Sequence, residues 1–156
     1  MSDKVITIAT EKWVEENKNK IFIEDRIMKE DIRGVYSFWV DDECVYVGKG
    51  INIRSRVYEH LNGVKWKYFN IKMKECPEHI EVLSDAFKNG KKIYVKVEDE
   101  VEYKYDNYYR DLHRLAYCEY RHIEEYQEKG WCLHQSPEGS FNNAEYEGWL
   151  EHSNNI

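Results

Sequence analysis

The feature that most constrains this fold is a pair of strand-like runs followed at once by a helical pattern. Residues 34–40 and 44–48 are rich in aromatic and β-branched residues, and the acidic tripeptide 41–43 separates them, which predicts a β-hairpin. Residues 51–62 carry apolar residues four apart, which predicts a helix with one buried stripe ended by Gly63. The stripe consists of Ile53, Val57 and Leu61.

The remaining pattern predicts a compact mixed fold. Residues 68–73 have strand character, residues 79–90 form a helix that starts after Pro77, and residues 91–99 alternate as a strand does. A long helix is predicted from Asp106 to Gly130. The order of strong elements from residue 34 is strand, strand, helix, helix, strand, helix. We therefore expect an α/β (α+β) fold in which helices flank a small three-stranded sheet.

The chain has 156 residues, which favours one domain. We expect residues 1–33 to be an N-terminal extension packed on that domain, residues 34–134 to form the domain itself, and residues 135–156 to be an acidic tail. A short helix is predicted near residues 146–150. There is no apolar run of membrane-spanning length and no signal-peptide pattern, and the four cysteines form no Cys-x-x-Cys pair, so a cytoplasmic location without membrane contact is expected.

The charge is unevenly distributed. A net charge of −7 argues against a nucleic-acid partner, but the cations between residues 49 and 74 are opposed only by Glu59. This segment predicts a local basic patch able to attract phosphates, and a solvated surface is the alternative. Its cations are Lys49, Arg54, Arg56, Lys65, Lys67, Lys72 and Lys74.

The register of the hairpin decides whether Tyr36 and Tyr46 share a face of the sheet. With a two-residue loop the tyrosines point to opposite faces, and with a three-residue loop Tyr36 opposes Gly48 and both tyrosines lie on one face. A joint site requires the second pairing, in which Gly48 leaves room above the ring of Tyr36. Ordinary sheet aromatics are the alternative interpretation.

Two helices add charged candidates. Arg56 and His60 are four residues apart and share one helix face, beside the apolar stripe, where Arg56 is suited to bind a phosphate. In the long helix, Glu119 falls within the inward-facing stripe and needs a cation. Either a hard metal ion such as Mg²⁺ or a buried salt bridge, for instance to Arg56, satisfies this requirement, and the residues alone do not choose between them.

Together these residues resemble a known family. Gly34-Val35-Tyr36 followed by Tyr46-Val47-Gly48 is similar to the paired tripeptides of the GIY-YIG nucleases, with valine in place of isoleucine in both. The family's arginine and histidine are expected eight and twelve residues after the second tripeptide, where Arg56 and His60 stand. Its metal-binding glutamate corresponds to Glu119 in the context AYCEYRHI. The resemblance covers residues 34–134.

The resemblance implies a Mg²⁺- or Mn²⁺-dependent endonuclease that hydrolyses DNA phosphodiester bonds at one ion per active site. Tyr36 would activate the attacking water, Tyr46 would position the phosphate or the water, and His60 would assist proton transfer or hydrogen-bond Tyr36. Arg56 would hold the scissile phosphate, and Glu119 would hold the metal. A small stand-alone enzyme of restriction, phage-encoded or degradative type is expected, with a possible homodimer. The candidate DNA-binding residues are Lys49, Arg54, Lys65 and Lys67.

Several alternatives stay open. The family commonly has an asparagine after the metal-binding helix, where this chain has Leu133, His134 and Gln135. The candidates to replace it are His134, Gln135, and Asn142 or Asn143 folding back. A catalytically inactive binding module with the same fold is the main rival to an enzyme. Exposed tyrosines could stack on bases; they include Tyr103, Tyr105, Tyr108 and Tyr109. A zinc site at the end of the long helix would use Cys118, His122, Cys132 and His134.

Overall fold

A computed structural model describes residues 3–73, 75–131 and 135. The described chain is a mixed α/β fold with one four-stranded sheet, and this confirms the expected fold class. The strands are β1 (Ile21–Ile23), β2 (Gly34–Val40), β3 (Glu43–Gly50) and β4 (Ile93–Glu100). The helices are α1 (Asp3–Glu16), α2 (Asp25–Lys29), α3 (Ile53–Tyr68), α4 (Glu78–Lys88) and α5 (Tyr108–Glu128).

The expected three-stranded sheet is corrected to four strands in the order β1-β4-β2-β3. β2 pairs antiparallel with both β3 and β4, and the additional strand β1 pairs parallel with β4. β1 joins the sheet because its apolar residues bury against β4, where Ile21 and Ile93 are both buried. Part of the segment 1–33 therefore belongs to the sheet.

Helices cover both faces of the sheet. We call the side that packs against α1, α3 and α4 the tyrosine face, because its core includes Tyr36, Phe38 and Tyr46. The other side, the α5 face, packs Val35 and Val47 against the long helix. Alternation along a strand separates the two sets, so neighbouring residues of β2 and β3 serve different cores.

Two predicted helix boundaries and one predicted strand are wrong. Gly63 does not end α3, since Val64 continues the apolar stripe into the core and the helix runs to Tyr68. The strand expected over residues 68–73 is absent from the described part of that segment, because its first residue is helical and Asn70 has a positive φ of 58°. At α5 the N-cap is Asn107, whose side chain accepts from the Arg110 amide.

Some predictions fall on residues outside the described part of the chain. The tail from residue 136 onward, its short helix and Lys74 are among them. Among residues 3–73 and 75–131, none of the helices combines the length and the apolar character that a membrane crossing requires.

Candidate active site

The hairpin places both tyrosines on one face by a route that the sequence did not indicate. The turn has two residues, since Val40 pairs with Glu43, and a β-bulge then shifts the register between Phe38 and Trp39. Beyond the bulge Phe38 opposes Tyr46 and Tyr36 opposes Gly48, as the joint site required. The three-residue loop is therefore wrong, but the shared face is confirmed, because the bulge supplies the extra residue.

Gly48 provides the space that the ring of Tyr36 occupies. A Cβ atom at this position would lie 2.5 Å from the Tyr36 hydroxyl oxygen and 2.6 Å from the ring carbon that carries it. It would also lie 2.9 Å from a ring carbon of Tyr46. Any side chain at this position would displace both phenols, so the glycine is a steric requirement of the cluster.

A chain of hydrogen-bonding groups runs from Tyr36 into the core. The Tyr36 hydroxyl lies 2.7 Å from His60 Nε2, and His60 Nδ1 lies 3.0 Å from Nε2 of His79. All three side chains are buried. Both ring nitrogens of His60 are therefore engaged, and its orientation is set from two sides.

His79 is a site residue that the sequence analysis did not identify. It lies in the first turn of α4, and its ring stacks on Tyr46 with 3.9 Å between ring centroids and 16° between planes. It thus contacts Tyr46 and His60 together. Its position directly after Pro77 and Glu78 at a helix start gives no signal of this role, since the contact depends on how α4 packs against α3.

Burial keeps the Tyr36–His60 pair neutral. Desolvation, and next the neighbouring Tyr46, raise the pKa of Tyr36 above its usual value, while the charge and hydrogen bonding of Arg56 lower it and Glu119 raises it. Burial, then His79 and Arg56, lower the pKa of His60 to about 3. At neutral pH the site therefore holds a neutral phenol hydrogen-bonded to a neutral imidazole.

Arg56 is the most exposed member of the cluster. Its side chain is 36% exposed and pairs with Glu59 at 2.5 Å, one turn along α3. A Cβ at Gly50 would lie 2.8 Å from its side chain, so a second glycine of β3 makes room for it. Because the charge of Arg56 affects the pKa of Tyr36, the guanidinium lies where it can act on the phenol and remain open to solvent.

Glu119 is a buried carboxylate held by a lysine. It is 2% exposed, and its Oε1 lies 3.5 Å from Nζ of Lys49, which is 17% exposed. The salt-bridge alternative is therefore present in the structure, with Lys49 rather than Arg56 as the partner. Lys49 lies between Gly48 and Gly50, on the face opposite the two phenols.

At the end of β3, groups on opposite faces of the sheet lie close enough to interact. α5 packs against β3 and places Glu119 on the α5 face, while Tyr36 lies on the tyrosine face. The charge of Glu119 nevertheless raises the pKa of Tyr36, so the two groups interact electrostatically across the glycine-containing end of the strand. The structure brings Tyr36, Tyr46, Arg56 and His60 into one cluster, and Glu119 lies near enough for its charge to act on Tyr36.

Three predicted DNA-binding residues do not join this cluster. Arg54 is about 200° from Arg56 around α3 and contacts Asp31 and the Met28 carbonyl. Lys65 lies about 180° from Arg56 around the same helix. Lys67 shares the Arg56 side but lies about 16 Å further along the axis, where it pairs with Glu81 at 3.9 Å. Lys49, in contrast, contacts Glu119 directly.

The side chain of Gln135 bonds to the backbone of Val47 in β3. Its side-chain Oε1 accepts from the Val47 amide at 3.0 Å, its Nε2 donates to the Val47 carbonyl, and its own carbonyl accepts from Gln127. The amide side chain thus pairs with the free edge of β3 as a neighbouring strand would. His134, Asn142 and Asn143, the other candidates for the family's asparagine, lie outside the described residues, as does Cys132 of the zinc alternative.

The exposed tyrosines lie around the start of α5. Tyr103, Tyr108 and Tyr109 are exposed, and Tyr105 is partly exposed. The Arg33 guanidinium lies 4.3 Å from the Tyr103 ring centroid, so this ring already has a cationic partner. Base stacking by these rings stays a prediction.

A shallow cleft of about 740 Å³ lies at the turn end of the hairpin, away from this cluster. Neither the clustered residues nor Glu119 lines it. Its lining residues are Trp39, Asp41, Asp42, Gly90, Lys91, Lys92, Tyr94 and Lys96.

Comparison of the chain with protein-family models, with curated proteins and with solved structures found no match. The functional argument therefore depends on the residues and their geometry.

Proposed function

We propose that the protein is a Mg²⁺-dependent endonuclease that hydrolyses DNA phosphodiester bonds, with a stand-alone GIY-YIG-type site. The observation that carries the proposal is the cluster of two phenols, an imidazole and a guanidinium at the glycine-containing end of β3, with the buried Glu119 near enough for its charge to act on Tyr36. These are the residue types and spacings on which the sequence resemblance depends. Groups that act together on a single phosphate must lie close to one another.

Proton transfer in this proposal runs through Tyr36 and His60. The Tyr36 oxygen accepts a proton from the attacking water as its own proton moves to His60 Nε2, 2.7 Å away. With the phenol as donor, the single proton of neutral His60 lies on Nδ1 and is donated to His79. His79 is thus a positioning residue that selects the tautomer able to accept the proton.

In this proposal the exposed cations bind the phosphates of the DNA. Arg56 exchanges its ion pair with Glu59 for the scissile phosphate, and its charge stabilises the negative charge that develops there. Tyr46, held by stacking on His79, orients the same phosphate from the neighbouring strand. Exposed tyrosines and lysines outside the cluster contact flanking DNA.

The donor chemistry of Glu119 fits a hard divalent ion. Within the described residues Glu119 belongs to no cluster of three metal-ligating groups, so such an ion would keep several waters, as Mg²⁺ prefers. When bound, the ion supplies charge stabilisation for the leaving 3′ oxygen. Lys49 holds the carboxylate in its present position, and it must shift to share Glu119 with an ion.

The Lys49–Glu119 pair also favours a second candidate. Because Lys49 already balances the buried charge of Glu119, the fold is stable in principle without a metal ion. The second candidate is therefore a catalytically inactive module that binds nucleic acid or protein. The two candidates differ in whether bound DNA is cut.

Nicking of supercoiled plasmid in Mg²⁺ separates these candidates. We expect the wild-type protein to nick, and we expect Arg56→Ala and Glu119→Ala to lower the rate by about 100-fold or more. Arg54→Ala is the matched control, since it removes the same cation from the opposite side of α3 and should retain activity within a few-fold. Equal nicking by all four proteins would indicate a contaminant and refute the proposal. DNA binding without nicking by the wild type would favour the inactive module.

A further inference from the structure

A second group of metal-ligating side chains lies on the α5 face, apart from the proposed active site. Cys118 and His122 are four residues apart on α5 and therefore share one side of the helix. Asp99 reaches them from β4. One ligand atom from each of these three residues lies within 4.8 Å of the other two.

The three donor atoms are already arranged closely. Asp99 Oδ2 lies 2.5 Å from His122 Nε2 and 3.3 Å from Cys118 Sγ. The Asp99 side chain is 50% exposed, while that of His122 is 17% exposed. The group is therefore anchored on the protein side and reachable from solvent.

The other nitrogen of His122 faces a fixed carboxylate. His122 Nδ1 lies 3.8 Å from Glu98 Oε2, and Glu98 accepts hydrogen bonds from Ser37 at 2.6 Å and from Tyr126 at 2.7 Å. Carboxylates behind a ligating histidine orient its ring and select the tautomer whose free nitrogen faces the metal. At 3.8 Å Glu98 lies within ion-pair range of Nδ1 but beyond hydrogen-bonding distance, so a small shift of the ring would let Glu98 orient His122 with Nε2 facing an ion.

We propose that Asp99, Cys118 and His122 form a binding site for a borderline-soft divalent ion of the Zn²⁺ class. A thiolate, an imidazole and a carboxylate are the ligands that zinc accepts in proteins, whereas a thiolate disfavours Mg²⁺. Three protein ligands leave a fourth position for water. The site is distinct from Glu119, which follows Cys118 in sequence but lies about 100° further around the helix, against Lys49.

An ion at this position would link α5 to β4. Its binding would hold the long helix against β4, where Glu98, the residue before Asp99, is already bonded to β2 and α5. Ions that bind only the folded protein stabilise it, so at about 100 times the dissociation constant we expect the melting temperature to rise by roughly 5–10 °C.

Cobalt(II) titration of the purified, reduced protein tests the site through a signal that only thiolate ligation gives. We expect a thiolate-to-cobalt charge-transfer band in the near ultraviolet, its loss on addition of Zn²⁺, and a thermal shift with Zn²⁺ alone. Cys118→Ser should lose the band and the thermal shift. Cys76→Ser, which removes a half-buried thiol ahead of α4, should retain both.

Two further variants keep the test decisive if Cys118→Ser folds poorly. Asp99→Asn alters a half-exposed side chain, and His122→Gln keeps a polar side chain on the helix; each should weaken zinc binding at least tenfold. A cobalt band that survives Cys118→Ser would overturn the proposal. So would a wild-type protein that shows neither band nor thermal shift. Neither result bears on plasmid nicking in Mg²⁺, which tests Glu119 separately.

Discussion

The two faces of the sheet organise their polar groups in different ways. On the tyrosine face, Tyr36 and His60 are enclosed and neutral, and close packing sets their positions. On the α5 face, Lys49, Glu119 and Asp99 are charged, paired with neighbouring groups and more variable in exposure. The first face is organised by close packing and the second by ion pairs. Substitutions should therefore act on the first face mainly through packing and on the second mainly through electrostatics.

The two faces meet where β3 has little side-chain bulk. Gly48 and Gly50 make room for Tyr36 and Arg56 on one face, and Lys49 between them reaches Glu119 on the other. This alternation allows a single short strand segment to serve both halves of the proposed site.

The largest expected effect comes from removing one buried hydroxyl. Tyr36→Phe deletes the hydroxyl proposed to exchange a proton with His60, so we expect DNA cleavage to fall by about 10²–10⁴-fold under single-turnover conditions. DNA affinity, measured in Ca²⁺ or without metal, should change little, because the ring and its packing remain.

Tyr126→Phe is the matched control on the α5 face. Tyr126 is also buried, its pKa is also raised by burial and by Glu98, and its hydroxyl donates to Glu98 at 2.7 Å. Its loss should cost roughly 1 kcal/mol of folding stability and leave cleavage near the wild-type rate. Equal loss of cleavage in both variants would show that the effect of Tyr36→Phe does not depend on the contact of its hydroxyl with His60.

The buried imidazole makes stability depend on pH in a defined direction. The unfolded chain protonates His60 near the ordinary pKa of 6.5, whereas the folded protein does so only near 3. The unfolded state therefore binds more protons between these values, and stability falls as pH decreases from about 6.5 to 3. This one group contributes up to about 1.4 kcal/mol per pH unit. Urea unfolding at a series of pH values measures the slope.

His60→Gln is the control for this dependence. The substitution removes the titrating group, so the unfolding free energy should vary less with pH in the same window, whatever its value at pH 7. Histidine ring signals in NMR spectra provide a second check, since the His60 signal should show no midpoint between pH 5 and 8. A midpoint near 6.5 would mean that the ring is hydrated and that the enclosed arrangement is wrong.

Substitutions at two glycines test the steric enclosure of Tyr36. Gly48→Ala places a Cβ 2.5 Å from the Tyr36 hydroxyl and should cost about 1–3 kcal/mol of stability and lower cleavage at least tenfold. Gly63→Ala, in the interior of α3, meets Ile80 at an ordinary 3.4 Å and should stabilise the protein by roughly 0.5–1 kcal/mol. Thermal unfolding of both variants measures this difference, and a neutral Gly48→Ala would refute the steric account.

The smallest expected effect concerns His79. His79→Phe retains a ring to stack on Tyr46 but removes the partner of His60 Nδ1, so we expect cleavage to fall about fivefold, corresponding to roughly 1 kcal/mol. The pH profile of cleavage should also change, because the tautomer of His60 is no longer selected. His79→Gln, which keeps a hydrogen-bonding group, should recover part of the rate. An unchanged pH profile in His79→Phe would assign His79 a packing role only.

Sequence patterns predicted the elements of the site better than the contacts between them. The spacing of Arg56 and His60 placed both on one side of a helix, and the inward stripe of α5 indicated that Glu119 is buried, because helical periodicity reports orientation directly. The shared face of Tyr36 and Tyr46 depended on register, and a bulge decided it.

The contacts that sequence reasoning missed join separate elements. Lys49 and Glu119 are 70 residues apart, and His60 and His79 are 19 apart on different helices. Periodicity shows which side of an element is buried but not which element covers it. For the same reason the pairing of β1 with β4 was not anticipated.

A double-mutant cycle across the sheet tests most directly whether the two faces form one active site. It compares single-turnover DNA cleavage in Mg²⁺ by the wild type, Tyr36→Phe, Glu119→Gln and the double variant. If both groups act on one phosphodiester bond, each single substitution should abolish most of the activity and the double variant should be no slower than the slower single by more than a few-fold. Losses that multiply fully, or cleavage at the wild-type rate in either single variant, would contradict a shared site.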